Sequence, residues 1–421
     1  MSHPIQTIAI IGGGPSGCAL AIHLCKAGKK VVVFERGSRP PLTVGESLVP
    51  ATIPLIRELG LEEEVRDYST FKPGATFVFN EEETQSFNFA EVRGAKTTYS
   101  YNIPREKFDR SIARQAEKTG ALVVREAARV ERVGSGEGRQ AKVELSESSL
   151  AATEGFLSGQ PDLIIDASGR VRLLPNLLGL PFEPGERRDT ALFAHCEGVN
   201  SVFEGHVHTD ILERGWAWRI PLPGRMSVGL VIDSEHIKTF GDSIEEQFDN
   251  YLKHDAIIKR WWGPDPRRLT PVLKYSNYQL RSDCAYGDGW ALCGDTFGFV
   301  DPVFSSGLLV SLDSARALAD AIIAGGGEAR MKRYERHVVN HLTNWHKTID
   351  HFYSGRLFTL FRVGERVSQS GIGKLMDFHF RKHLPRVFTG EATTRHYSVW
   401  LLDFMCRRGL MGTDPSALKV P

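Results

Sequence analysis

The 421-residue chain carries 52 Lys and Arg against 51 Asp and Glu, with 41% hydrophobic and 24% charged residues. That is an ordinary globular balance with room for more than one packed unit. The near-zero net charge argues against a phosphate-tracking nucleic-acid surface and a polybasic membrane patch. No apolar run reaches the ~20 residues of a membrane span. The opening MSHPIQTIAIIGGG runs into a strand without a basic n-region or cleavage site, so a cytoplasmic protein is expected. The six cysteines, Cys18, Cys25, Cys196, Cys284, Cys293 and Cys406, form no CxxC pair and read as buried reduced thiols.

TIAIIGGGPSGCALAIHLCKAGKKVVVFER reads as one βαβ unit. Residues 8–11 form an apolar strand, an Ala/Leu-rich helix ends near Gly28, and residues 31–34 form a second strand. Gly12, Gly14 and Gly17 make GxGxxG, with Pro15 and Ser16 inside the turn and Glu35 and Arg36 after the second strand. Glycines there let the backbone approach a pyrophosphate at the positive end of the helix. Glu35 accepts hydrogen bonds from a ribose diol and repels a 2′-phosphate, so the adenosine belongs to FAD or NAD rather than NADP. A Pro/Gly loop then leads to GESLVP (45–50), which includes Ser47, and to helical spacing at Ile53, Leu55, Ile56 and Leu59.

Residues 71–102 are β-rich, and Arg105 precedes an amphipathic helix. VGSGEGRQ (133–140) is a loop between strands, and PDLIIDASGR is a buried strand ending in Asp166. Residues 190–285 are again β-rich and contain GWAWRIP (215–221). On a strand Trp216 and Trp218 share a face, either as a packed pair or as a wall inside a site. Residues 290–323 read as a strand, then Asp295 in position for ribityl hydroxyls, a Pro-containing loop, and a long helix from about Ser305–Gly307. The free N–H groups of that helix end suit an electron-rich flavin edge or an anion. Beyond 330 the chain turns helical, with Val338, Leu342, Trp345, Ile349 and Phe352 in one stripe and Phe358, Phe361, Phe378 and Phe380 adding aromatic surface. His337, His341 and His346 read as a solvated helix face; no metal site is expected.

Over residues 1–325 this order of elements resembles the FAD-dependent monooxygenase superfamily. The resemblance implies an α/β chain (α+β overall) with a glutathione-reductase-like FAD-binding Rossmann domain and FAD as cofactor. That domain would take residues 1–70, 103–189 and 286–330. An inserted β-sheet substrate domain would take 71–102 and 190–285, and a helical C-terminal region 331–421. Within the superfamily the chain resembles the flavin-dependent halogenases. GWAWRIP fits their WxWxIP at Trp216, Trp218, Ile220 and Pro221; GESLVP fits their flavin strap; GDTFGFVDPVFSSG (294–307) is close to GDAAGFxDPVFSSG. The register of the family's essential lysine falls on Lys72.

The resemblance implies a chemistry. Reduced flavin and O2 give a C4a-hydroperoxide, which chloride or bromide attacks to form hypohalous acid. Ser306 and Gly307 would hold the halide, and Trp216 and Trp218 would separate flavin from substrate. Lys72 would hold the electrophilic halogen near one carbon. FADH2 would come from a separate reductase, since no second fingerprint for NAD(P)H is visible. The substrate would be a phenol, a pyrrole or a carrier-tethered acyl aromatic. The chain departs from its relatives at LLVSL, where a His is frequent, and at Thr296-Phe297, where alanines are common. The glutamate that partners the lysine region in tryptophan halogenases has no visible counterpart. An aromatic hydroxylase, a prenyl reductase and a non-enzymatic flavoprotein remain as alternatives.

Overall fold

The computed structural model describes every residue except 1–3, 38–41, 186, 277–278, 369–384, 394–395 and 421. Phe378 and Phe380 lie outside the described residues. Strand Thr7–Ile11 sits at the centre of a six-stranded sheet. It pairs in parallel with Lys30–Phe34 on one side and Leu163–Asp166 on the other. Leu122–Val124 and Trp290–Leu292 extend the sheet in parallel, and Tyr286–Gly287 adds an antiparallel edge. Helices Pro15–Lys26, Arg105–Thr119 and Gly307–Ile323 pack together around it. A parallel sheet covered on its faces needs apolar side chains in both directions, which is why these strands read as continuous Ile/Val/Leu runs. The carboxyl ends of the strands bring Gly12, Glu35, Asp166 and the Gly294–Thr296 turn to one edge, where this topology places ligands.

A second, eight-stranded sheet runs Trp262–Arg268, Asp189–Val199, Arg225–Asp233, Gly215–Leu222, Val207–Leu212, Gly74–Val78 and Thr84–Asn88; Leu273–Ser276 pairs beside Trp262–Arg268 on Asp189–Val199. Its two faces belong to different cores. Phe193, Trp216, Trp218 and Ile220 join the large core shared with the first sheet. Leu192, Ala194, Ala217 and Leu230 pack instead with Phe248, Tyr251 and Leu252 of helix Ile244–His254. The period-2 pattern of each strand thus sends its aromatic residues inward. A small sheet of Phe182–Pro184, Leu280–Ser282 and Gly298–Phe299 accompanies these two.

Helix Glu328–Tyr353 buries the expected stripe: Val338, Leu342, Trp345, Ile349 and Phe352 are each at most 3% exposed. The histidine reading needs correction. His346 is half-buried; His341 is buried, and the His337 side chain is 41% exposed. Both bond Asp313 of helix Gly307–Ile323, through His337 Nε2 at 2.6 Å and His341 Nδ1 at 3.1 Å. Their hydrogen bonds hold the Asp313 carboxyl well below its ordinary range despite burial. The trio is close enough to enclose an ion. Trp345 Nε1, which only donates, nevertheless bonds His341 Nε2 at 3.2 Å. That bond leaves the proton of neutral His341 on Nδ1, the atom a metal would need. The cluster is a helix-to-helix clasp. Among the described residues, no helix is long and apolar enough to cross a membrane.

Candidate active site

The glycines of the first turn do three different jobs. Gly12 has φ +106°, and a Cβ there would lie 2.4 Å from the Ala167 carbonyl. A Cβ on Gly17 would lie 2.0 Å from the Gly12 carbonyl, so this glycine sets helix-to-strand packing. Gly14 would meet nothing within 4 Å, which is the open space a pyrophosphate needs. Pro15 starts the helix, Ser16 is buried beneath it, and a Cβ on Gly294 would come within 2.7 Å of the Ser16 hydroxyl. Glu35 Oε2 accepts the Gly13 N–H at 2.8 Å, which holds this carboxylate at the mouth of the turn. Arg36 is exposed beyond it.

Arg105 opens helix Arg105–Thr119 and is buried. Its Nε bonds Asp109 Oδ1 at 3.0 Å and its Nη1 donates to the Val44 carbonyl, just ahead of GESLVP. Asp295 is pushed up to about 6 by burial, with Arg105 and Arg170 pulling it down. The open Gly14 turn, the helix N-terminus, Arg105 and Asp295 fit FAD. Glu35→Ala is expected to weaken FAD binding by about 1.5–3 kcal/mol, measured by titration of the apoprotein; an unchanged affinity would contradict the ribose assignment.

GESLVP continues into the short turn Pro50–Thr52 and helix Ile53–Glu58. Lys72 ends strand Thr70–Lys72, which pairs with Ser100–Asn102. It is 1% exposed. Its Nζ donates to Ser47 Oγ at 2.8 Å and to the Leu48 carbonyl at 2.7 Å, and lies 5.6 Å from the Phe89 ring centre. Ser47 passes its own proton to Asn102 Oδ1 at 2.8 Å. The Ser47 hydroxyl, expected at the cofactor, therefore serves the lysine. The partners of Nζ are a hydroxyl and a carbonyl, and burial alone brings the amine down to about 7.

Trp216 and Trp218 stand on strand Gly215–Leu222 with ring centres 5.8 Å apart, and are 2% and 5% exposed. Trp218 lies across Gly229, where a Cβ would fall 2.1 Å from its ring. The 294–307 segment passes through turn Pro302–Phe304 and Ser305 at φ +57° before helix Gly307–Ile323 begins. Ser306 is fully buried, and its hydroxyl has no hydrogen-bond partner among the described residues. An orphaned buried donor at a helix N-terminus suits a bound anion.

Several neighbours make contacts that the sequence does not foretell. Glu46 of GESLVP accepts His195 Nε2 at 2.7 Å, which ties the strap to the second sheet. Phe77, Phe304, Phe352, Phe358 and Phe388 form an aromatic cluster, with Phe77 within 4.7 to 6.3 Å of the other four. It joins the strand after Lys72 to the loop before Ser306. Phe304 lies in the 294–307 motif, and Phe358 carried a weak signal through its place in the aromatic-rich C-terminal segment; Phe77 and Phe388 carried none.

The fold and its cofactor cradle define a Rossmann-type FAD flavoprotein. A family model described as FAD binding domain matches residues 5–153, and one described as tryptophan halogenase matches residues 88–357. The second match covers more than half of the chain, and the protein belongs to this family of flavin-dependent halogenases. The chain is 29% identical over 405 residues to the 1H-pyrrole-2-carbonyl-(peptidyl-carrier protein) chlorinase of Pseudomonas fluorescens, covering 86% of each. It is 28% identical over 395 residues to the tryptophan 2-halogenase of Chondromyces crocatus, covering 89% of this chain and 73% of the relative. The solved flavin-dependent brominase Bmp2 superposes with a TM-score of 0.77 at 20% identity, over 96% of this chain and 98% of its own. A flavoprotein/dehydrogenase from Cytophaga hutchinsonii gives 0.78 at 23% identity, over 97% and 100%.

Proposed function

We propose that this enzyme forms hypohalous acid at reduced FAD and delivers it through Lys72 to an electron-rich aromatic ring. The observation that carries this reading is the lysine itself. A fully buried amine, brought to about 7 and met by no carboxylate among the described residues, is costly to keep for packing alone. Bound FADH2 supplies, with O2, the oxidising equivalent. The chain does the rest. The Gly14 turn and Glu35 hold the dinucleotide, and Arg105 and Asp295 address its ribityl side. The Ser306 hydroxyl and the Gly307 helix end hold chloride or bromide. Trp216 and Trp218 keep the organic substrate away from the halide. Lys72, with its proton directed to Ser47 Oγ or the Leu48 carbonyl, presents nitrogen to the oxidant.

The similarity to a carrier-bound pyrrole chlorinase supports an acyl pyrrole on a carrier as the first substrate to try. The electrons are assigned to a separate flavin reductase. NADPH alone is expected to bleach the bound flavin slowly in stopped flow, and an added reductase should support bromination of a phenol, pyrrole and indole panel read by mass spectrometry. Fast bleaching by NADPH stimulated by an aromatic, with oxygenated and no halogenated product, would replace this reading with a hydroxylase.

A further inference from the structure

The C-terminal helices meet the tryptophan pair at a hydrogen bond. Tyr353, the last residue of helix Glu328–Tyr353, is buried with its hydroxyl between two distant segments. Trp216 Nε1 donates to that hydroxyl at 2.9 Å, and the hydroxyl donates onward to Asp301 Oδ2 at 2.9 Å. Indole nitrogen only donates, so the direction of the chain is settled. Asp301 also accepts Val303 N on Oδ1 at 3.0 Å and Gln279 Nε2 on Oδ2 at 3.3 Å. It thereby caps turn Pro302–Phe304, which leads directly to Ser305, Ser306 and Gly307. The Tyr353 ring is held from the side by Arg187, whose guanidinium lies 3.8 Å from the ring centre and is itself bonded to Asp189 at 2.6 Å.

The neighbouring indole is wired differently. Trp218 Nε1 donates to Ser227 Oγ at 3.2 Å, on the adjacent strand of the same sheet. The pair therefore has one member tied to the halide loop and one tied only to its own sheet. A buried relay of this kind is rigid while every member is satisfied; losing the middle member leaves Trp216 Nε1 without its acceptor and takes one donor from Asp301 Oδ2.

We propose that Tyr353 is a positioning residue for halide binding: by holding Trp216 Nε1 and Asp301 together, it sets the loop that carries Ser306 and Gly307. This rests on the halide assignment above and adds that Trp216, unlike Trp218, communicates with the halide through a hydrogen bond.

The test is bromide binding to the FAD-loaded full-length protein, followed by perturbation of the flavin absorbance, which needs no turnover. Tyr353→Phe is expected to raise the bromide Kd roughly tenfold. Trp216→Phe breaks the same link from the other end and should do the same. The double variant should be no weaker than Tyr353→Phe alone, because the bond lost in Trp216→Phe is one of the two that Tyr353→Phe removes. Ser227→Ala releases Trp218 instead and should leave the Kd within about twofold of wild type. If Tyr353→Phe fails to accumulate, the contrast between Trp216→Phe and Ser227→Ala decides. A wild-type-like Kd in Tyr353→Phe, or in Trp216→Phe where that contrast decides, overturns the proposal, as do an equal rise in Ser227→Ala, additive losses in the double variant, or a wild type that does not bind bromide. A wild type that binds bromide yet halogenates nothing would sink the functional reading and leave this one standing.

Discussion

Replacing Lys72 with Ala or Met is expected to abolish halogenated product while leaving FAD binding and flavin reoxidation in place. The amine lies on a different strand from the glycine turn, and its hydrogen bonds go to Ser47 and Leu48. A second consequence separates a functional lysine from a structural one. Its folded value of about 7 lies below its ordinary 10.5. The protonated amine is therefore penalised in the fold, and stability is lost as pH falls from about 10.5 to about 7. At neutral pH the penalty is on the order of 4 kcal/mol before relaxation. Lys72→Met should consequently melt at or above the wild-type temperature at pH 6, with the advantage shrinking as the pH approaches 10. A variant that is inactive and no less stable marks a residue kept for function against stability. A large drop in melting temperature at pH 6 would instead make Lys72 a structural strut.

Trp216→Ala carries the next largest effect, on two axes. The side chain is 2% exposed and fills the core between the sheets, so truncation is expected to cost about 3–5 kcal/mol. On the proposed reading it also opens the wall between flavin and substrate. Oxidant should then escape, and the ratio of halogenated product to FADH2 consumed should fall severalfold while flavin consumption continues. Parallel quantification of product, peroxide and oxidised flavin reads this directly. An unaltered ratio in a folded, FAD-loaded variant would return the two indoles to plain packing.

The dinucleotide turn was legible from sequence because each of its demands is local. Gly12 needs a positive φ, Gly17 a close approach five residues away, and Glu35 a place at the end of the next strand. The Trp216–Trp218 shared face was legible too, since strand periodicity requires it. What escaped is whatever depends on distant segments meeting. Ser47 looked like a cofactor ligand, but Lys72 and Asn102, 25 and 55 residues away, claim its hydroxyl. Tyr353 stands one residue past the apolar stripe that ends at Phe352, and its partners are 137 and 52 residues away. His341 looked solvated because its helix was read with one apolar stripe. The buried face is wide enough to include it and Asn344 as well. Neither tyrosine nor histidine announces burial through composition, because each brings an apolar ring and a polar tip.

The central claim is that halide oxidation and carbon halogenation occur at separate places joined by Lys72. The most direct measurement runs wild type and Lys72→Ala side by side with FAD, a flavin reductase, NADH, bromide and an electron-rich pyrrole or phenol. Flavin oxidation and brominated product are followed in the same samples. Comparable flavin oxidation, with brominated product formed by the wild type and essentially absent in Lys72→Ala, is the predicted result. Bromination by Lys72→Ala at near wild-type rate would contradict the account.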